Sequence, residues 1–547
     1  MSTQEHLDPV AHARDMRAGG FWKDQNFDPI LMRSVTSKPD TPAVIAYRAD
    51  RDEPRRFTYR EFGDLVARAA GALHALGIGH GDIVAVQLPN WWEFVVIAYA
   101  CGRVGAVVNP LMPIFREREL SYMLGFAEAK VLVVPKLFRG FDHEAMAKDL
   151  KADLPTLRYV FVVDGEGENG FERSLLDSGH RMEAPSEGTP AALRPDEMAA
   201  LMFTSGTTGS PKGAMHTENT FMACNNALAG RFGLREDDVL HACSPLGHMT
   251  GYAAVMMLSV KLGGTLVLQD IWEAKRGVSI MAAEHVTFTA ASTPFLNDIC
   301  EAVAGGAPRP AALRSFLCAG APIPPALIER ALRELDLKVC SLWGMTESLS
   351  STLTEPARAA EKSSKTDGRA LEGVEVKVVD FDGKPAATGV TGKLFVRGAQ
   401  MFLGYYKRSE LETFDAEGWF DTGDLAYMDD EGYIRINGRT KDVVIRGGEN
   451  VPVVEIESLL YRHPAVLAAA LVGFPDKRLG ERGCAFVVLR PGHNLDLAAL
   501  QAYMVECKVA KQYWPERVEV VAQLPLTPSG KIQKFSLREK AKAFGDS

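Results

Sequence analysis

Apolar segments of two lengths take turns between residues 56 and 110. TYREFGDLVARAAGALHALG carries its apolar residues at helical spacing and stops at Gly77, and DIVAVQLP is a short apolar strand. WWEFVVIAYACGRVG is helical again and AVVNPL is strand-like. The alternation continues through AKVLVVP, YVFVVD and GTLVLQ. Strands and helices in such succession specify an α/β fold with a mainly parallel sheet. At 547 residues the chain is too long for one core, and about 150 residues per domain gives three or four folding units.

The pattern changes twice more. Near residue 370, VEVKVVDFDGKPAATGVTGKLFVRG has strands joined by Asp-Gly and Gly-rich turns, the mark of a β-rich subdomain. After about residue 440 a helix (VEIESLLYRHP), strands (AVLAAALVGFPD, GCAFVVLRPG), a helix (LAALQAYMVEC) and a strand (RVEVVAQLP) spell a compact α+β domain. The expected organisation is a large N-terminal α/β domain over 1–440, its β-rich subdomain at about 370–440, and a small C-terminal α+β domain over 441–547. The boundary falls near Arg439–Lys441.

A net charge of −9 argues against a nucleic-acid or anionic-membrane partner but leaves anionic small molecules open, since these need only a local cluster of donors. Eight cysteines at 101, 224, 243, 300, 318, 340, 484 and 507 form no CxxC and no zinc spacing with histidine. They read as reduced, buried thiols. The polar N-terminus is no signal peptide, no apolar run reaches membrane-spanning length, and AFGDS is no peroxisomal address. The expected location is the cytoplasm.

Two glycine-rich segments compete as phosphate sites. GEGENG at 165–170 matches GxGxxG literally, but its two glutamates would repel a pyrophosphate, and it reads as a surface turn. TSGTTGSPKG, Thr204 to Gly213, is not a Walker A loop because Pro211 stands where a glycine is needed. Its physics nevertheless suits a triphosphate. Ser205, Thr207 and Thr208 offer hydroxyls, Gly206 and Gly209 leave backbone N–H groups unhindered, and Lys212 adds a point charge. Apolar segments on both sides set it apart from a flexible linker.

Further along, CAGAPIP (318–324), WGMTES (343–348), WFDTGDLAY (419–427), INGRTKDVVIRGGENV (436–451) and PLTPSGKIQK (525–534) follow in turn. With the loop at 204–213 they resemble the adenylate-forming superfamily, in family order and over about three-fifths of the chain. RGGENVPVVEIE in particular resembles cyclohexanecarboxylate and other medium-chain or aromatic acid–CoA ligases. The resemblance implies an enzyme of two half-reactions. A carboxylate attacks the α-phosphorus of MgATP to give acyl-AMP and pyrophosphate, and coenzyme A then displaces AMP to give the thioester.

The resemblance also implies roles. Thr204 to Lys212 would cradle the β- and γ-phosphates, Thr346 would donate to the α-phosphate, and Glu347, with Thr204, would hold Mg²⁺. Asp424 would accept from the ribose hydroxyls, and Arg439 would donate to the ribose or α-phosphate side. Gly320, Ala321 and Pro322 would run along the adenine, with Trp343 and Gly344 beside the ring. Lys531 would bring a cation to the carboxylate and the forming adenylate. Lys441 would be the pivot of a mobile C-terminal domain, and Arg446, Gly447, Gly448 and Glu449 would line the pantetheine tunnel. In SPLGHMTGY, His248 would gate the acyl site, lined by Thr250, Gly251, Tyr252, Phe295, Ala319 and Gly344. None of these candidates carries a positive charge, which favours an apolar acyl tail over a dicarboxylate.

Two departures stand out. Trp343 replaces the family's usual tyrosine, and Glu218 stands where many members have histidine, so that position receives no role. The resemblance further implies a homodimer, and a loop exposed when the C-terminal domain swings out would open Lys531 to a lysine acetyltransferase, which would switch off adenylation by removing its charge. A free-standing enzyme loading a carrier protein and a nucleotide-binding regulator without turnover are the alternatives.

Overall fold

A computed structural model describes residues 7–184, 193–204, 211–320, 323–440, 444–446, 449–526 and 532–545. The chain forms two compact units, Met1–Glu375 with Val396–Phe420, and Val376–Phe395 with Asp421–Ser547.

The first unit holds the parallel sheets. Among the described residues one has nine strands, in the order Arg369–Ala370, Leu349–Leu353, Lys338–Met345, Ser315–Ala319, Phe288–Ala291, Val239–Ala242, Thr265–Gln269, Pro42–Tyr47 and Arg55–Thr58. Its interior pairings are parallel and its edges antiparallel. The other has six strands, in the order Lys212–Thr217, Met198–Thr204, Val107–Pro110, Ile83–Val86, Val131–Pro135 and Tyr159–Val163. It is parallel except at Lys212–Thr217, which folds back antiparallel on Met198–Thr204.

Local chemistry sets the helix ends. Thr58 and Glu61 form a capping box at the start of Tyr59–Ala75, satisfying backbone N–H groups that have no partner inside the helix. Helix Trp92–Val104 ends at Gly105 in the left-handed conformation. Helix Phe27–Ser37 is tied to it by a buried ion pair, with Arg103 Nη2 and Nε donating to Asp28 Oδ1 at 2.7 and 3.0 Å. The seven cysteines from Cys101 to Cys484 are buried, Cys507 is half-buried, and all eight are unbridged. GEGENG is a surface turn, with the Glu166 side chain 93% exposed. Among the described residues no helix is long and apolar enough to cross a membrane.

The second unit has a four-stranded sheet of Val374–Val379, Gly392–Gly398, Phe420–Met428 and Ile434–Arg439, whose residues fall mainly in it. It also has a sheet in the order Glu449–Val451, Val444–Arg446, Gly480–Leu489 and Val466–Asp476, with Arg517–Val520 parallel to Gly480–Leu489. Helices Val453–Arg462, Leu497–Glu506 and Lys534–Lys542 complete it. The compact units thus divide differently from the expected 1–440 and 441–547, because much of the β-rich segment groups with the C-terminal residues. Helix Val453–Arg462 lies against strand Ile434–Arg439, where Val454 Cγ2 comes within 3.8 Å of the position a Cβ on Gly438 would take.

Burial in the first unit sets its response to pH. It lowers His12, His143, His216 and His241 from 6.5 to about 4. It raises Glu93 and Glu218 from 4.5 to about 8. Each lowered histidine contributes stability that is present above 6.5 and lost as pH falls through about 4. Each raised glutamate contributes stability that is present below 4.5 and lost as pH rises through about 8. Below 6.5 the four histidines outweigh the raised carboxyls, which include Glu172 as well as Glu93 and Glu218, and above it the carboxyls act alone. Thermal melting followed by circular dichroism is expected to give a maximal Tm near pH 6.5, falling on both sides. A Tm that still rises from there to pH 8 would contradict this assignment.

Candidate functional site

Thr204 and Lys212 end facing strands and are register partners, so the sheet itself places the two ends of the glycine-rich loop. Residues 205–210 lie outside the described residues, and with them the expected roles of Ser205, Gly206, Thr207, Thr208 and Gly209. Beyond Lys212 the strand edge is taken up by residues 403–406. Met215 N–H donates to Gly404 O at 3.1 Å, Leu403 N–H to Met215 O at 2.8 Å, and Tyr406 N–H to Gly213 O at 2.8 Å. This pairing places the Tyr405 ring beneath Lys212, whose Nζ sits 4.6 Å from the ring centroid.

The Tyr405 hydroxyl donates to Glu347 Oε1 at 2.6 Å. Glu347 is only 6% exposed, and its backbone carbonyl also accepts from Phe402 N–H at 2.8 Å. Burial and the neighbouring Glu347 push the Tyr405 phenol well above its ordinary range, so it stays a donor. Sequence reading missed Tyr405, since GYY lies in no motif that announces it.

It also missed His216. This ring is fully buried, with Nε2 2.6 Å from Thr346 O and Nδ1 3.1 Å from Thr220 Oγ1. A carbonyl can only accept, so Nε2 carries the proton, while Nδ1 faces the Thr220 oxygen, whose hydroxyl donates to Thr217 O at 2.9 Å. Burial keeps the ring neutral, with its pKa lowered to about 4. Its fixed tautomer anchors the turn that presents Thr346 and Glu347. The histidine's place within the strand Lys212–Thr217, four residues after Lys212, is the signal that could have found it.

Trp343 is buried in strand Lys338–Met345 opposite Thr352. Gly344 follows at a register shift, and a Cβ there would stand 2.0 Å from Leu349 O. Close backbone approach therefore already requires this glycine. Gly320 ends strand Ser315–Ala319 with φ +90, and Ala321 and Pro322 lie outside the described residues.

Against the segment that leads into SPLGHMTGY, Asn90 is a third missed residue. Its Nδ2 donates to Ala242 O and Ser244 O at 2.9 and 3.0 Å, and its Oδ1 accepts from Leu246 N–H at 2.8 Å. These bonds pin the chain that leads to half-buried His248, whose Nδ1 accepts from Thr250 N–H at 3.3 Å. Gly251 is buried and Phe295 is half-buried against Trp272. Half-buried Ala319 packs on the main core. Tyr252 sits in that core, 4% exposed and packed on Phe94 and Phe221. The cavity it lines with Tyr99, Glu218, Phe221 and Met257 measures about 20 Å³, room for a water and not for an acyl group.

In the second unit, Asp424 and Arg439 are register partners, with Arg439 Nε donating to Asp424 Oδ1 at 2.8 Å. The Asp424 side chain is 6% exposed and that of Arg439 45%, so the carboxylate is held and the guanidinium reaches outward. Arg446 pairs with Glu516 at 2.9 Å. Lys441, Gly447, Gly448 and Lys531 lie outside the described residues, as does the Glu449 side chain.

No cluster of three metal-ligating His, Cys, Asp or Glu side chains occurs among the described residues. Mg²⁺ carried on nucleotide phosphates needs one or two carboxylates and no protein cage. Glu347 fits that demand. Its Oε1 is taken by Tyr405, and among the described residues its Oε2 accepts no hydrogen bond.

A family model described as AMP-binding enzyme matches residues 31–406, and one described as AMP-binding enzyme C-terminal domain matches 455–531. The chain is 36% identical over 526 residues to a medium-chain fatty-acid–CoA ligase of Escherichia coli (strain K12), covering 96% of this chain and 92% of that one. It is 33% identical over 547 residues to a salicylyl-CoA synthase / salicylate adenylyltransferase of a Streptomyces species, covering 98% of each. Among solved structures it is similar to the anthranilate CoA ligase AuaEII in complex with anthranoyl-AMP, with a TM-score of 0.84 and 25% identity, covering 95% of this chain and 98% of that one. By ordered motifs, fold and full-length similarity, the chain belongs to the AMP-binding enzyme family.

Proposed function

We propose that this protein is an AMP-forming acid–thiol ligase that activates an apolar monocarboxylic acid and joins it to coenzyme A. The observation that carries this reading is the constellation of Lys212, Tyr405 and Glu347 at the end of the Thr204–Lys212 strand pair. It puts a cation for phosphate oxygens beside a carboxylate free to take a metal. The activities named for the full-length relatives support it.

In the first half-reaction two anions must meet. Lys212 and the loop donors bind the β- and γ-phosphates, Thr346 holds the α-phosphate, and Glu347, with Thr204, holds Mg²⁺, which when bound offsets phosphate charge. The acid's oxygen bonds to the α-phosphorus as the bond to pyrophosphate breaks. Asp424 and Arg439 hold the ribose, while Trp343, Gly320, Ala321 and Pro322 border the adenine. Lys531 steadies the incoming carboxylate. In the second half-reaction the thiol sulfur of coenzyme A bonds to the acyl carbon, its proton leaves, and AMP departs with the former carboxylate oxygen. Lys441 serves as pivot between the two steps, and the segment Arg446–Glu449 borders the pantetheine arm.

His248, Thr250, Phe295 and Ala319 shape an uncharged acyl site, which favours alicyclic, aromatic or medium-chain acids. The resemblance supports a homodimer, the sequence reading favours the cytoplasm, and an exposed Lys531 loop would be open to acetylation. The test is a panel of acids with ATP, with and without coenzyme A, reading AMP, pyrophosphate and thioester. Apolar monocarboxylates are expected to turn over with thioester formation, and acetate poorly. AMP release without thioester would overturn the ligase reading.

A further inference from the structure

We propose that Tyr405 is a positioning residue whose hydroxyl fixes the metal-binding carboxylate of Glu347 and whose ring fixes the phosphate-binding Lys212. This deepens the proposed function and rests on its assignment of Glu347 and Lys212.

The geometry leaves Tyr405 little freedom. Its ring is 4% exposed and meets Phe402 edge-on at 4.9 Å. Its backbone is bridged to Ala214, and its N–H donates to the buried carboxylate of Glu412 at 2.9 Å. That last contact needs Gly404 before it. Gly404 has φ +126, and a Cβ there would come within 2.3 Å of Glu412 Oε1. A side chain held so firmly for packing alone would have no use for an oxygen. Here the oxygen reaches a buried carboxylate.

The choice of a phenol has chemical consequences. A lysine or arginine at this distance would bind Glu347 as an ion pair and oppose the charge that a metal ion needs. A phenol donates one hydrogen bond and adds no charge, so it orients the carboxylate and leaves it anionic. By occupying Oε1 it leaves Oε2 for the metal or its water. The ring face meanwhile offers Lys212 a cation–π platform at 4.6 Å. One side chain thus stands between the cation and the anion of the site and holds each for a different part of the same ligand.

The test uses the full-length protein and reads binding as well as turnover. Tyr405→Phe keeps the ring and removes only the hydroxyl. Affinity for Mn²⁺·ATP, by calorimetry and by electron paramagnetic resonance of the metal, is expected to fall about tenfold, the usual scale for losing an outer-shell partner of a ligand. Binding of metal-free ATP in chelator should stay unchanged. The Mg²⁺ concentration for half-maximal turnover should rise in step, with an unchanged KM for the acid. Tyr405→Leu, which also removes the platform, should weaken metal-free ATP binding as well. Glu347→Gln is the reference. If it weakens Mn²⁺·ATP binding and Tyr405→Phe does not, the Tyr405 proposal fails while the site assignment stands. If Glu347→Gln has no effect on metal binding, the assignment fails and the proposal with it. Equal losses of metal-free and metal-bound nucleotide in Tyr405→Phe would also overturn the proposal.

Discussion

Lys531→Ala is expected to slow acyl-adenylate formation by roughly 10²–10³-fold, the scale of losing one oriented donor to developing charge. The same variant, given preformed acyl-AMP and coenzyme A, should make thioester at close to the unmodified rate. The asymmetry is the informative part. In the first half-reaction a carboxylate approaches a polyphosphate, and a compact ammonium lowers the repulsion between them. In the second, a thiol attacks a neutral acyl carbon and no anion needs escorting. Rapid-quench measurement of each half-reaction checks this, and equal losses in both would remove Lys531 from its assigned step.

Asp28→Ala is expected to destabilise the first unit by about 3–5 kcal/mol, the cost of leaving a buried charge without its partner. Arg103 is 1% exposed and can reach no water in exchange for the two hydrogen bonds it would lose to Asp28 Oδ1. Replacing both residues together, as Asp28→Leu with Arg103→Met, should recover most of the loss, because the penalty lies in the orphaned charge and not in the missing attraction. Chemical denaturation of the two variants side by side gives the comparison. A double variant no more stable than Asp28→Ala would refute the account.

The α/β architecture was legible because two periods alternate along the chain. TYREFGDLVARAAGALHALG became helix Tyr59–Ala75 and DIVAVQLP became strand Ile83–Val86. Which residues group into which compact unit was not legible. That depends on strand pairing and helix contacts around 376–440, which join residues far apart in sequence and leave no local periodic mark. Thr204, Lys212, Glu347, Asp424 and Arg439 could be singled out from the sequence because each sits in a motif. Tyr405, His216 and Asn90 could not. Each acts on another residue through a contact across the fold, as Tyr405 does on Glu347, 58 positions away. Tyr252 shows the opposite failure. It sits in a motif, yet packing on Phe94 and Phe221 places its ring in the core.

The strand pair that opposes Thr204 to Lys212 separates two properties of the loop between them. Where the lysine stands is decided by ladder hydrogen bonds, whereas the donors that residues 205–211 can offer are decided by their own sequence. Closing a loop costs only slightly more as it lengthens. Variants with residues inserted or exchanged within that stretch should therefore keep the lysine's address while altering the grip on phosphate. On the proposed function, the strand pair would serve as a socket for loops of different character, and nucleotide affinity would be tunable without disturbing the scaffold that carries it.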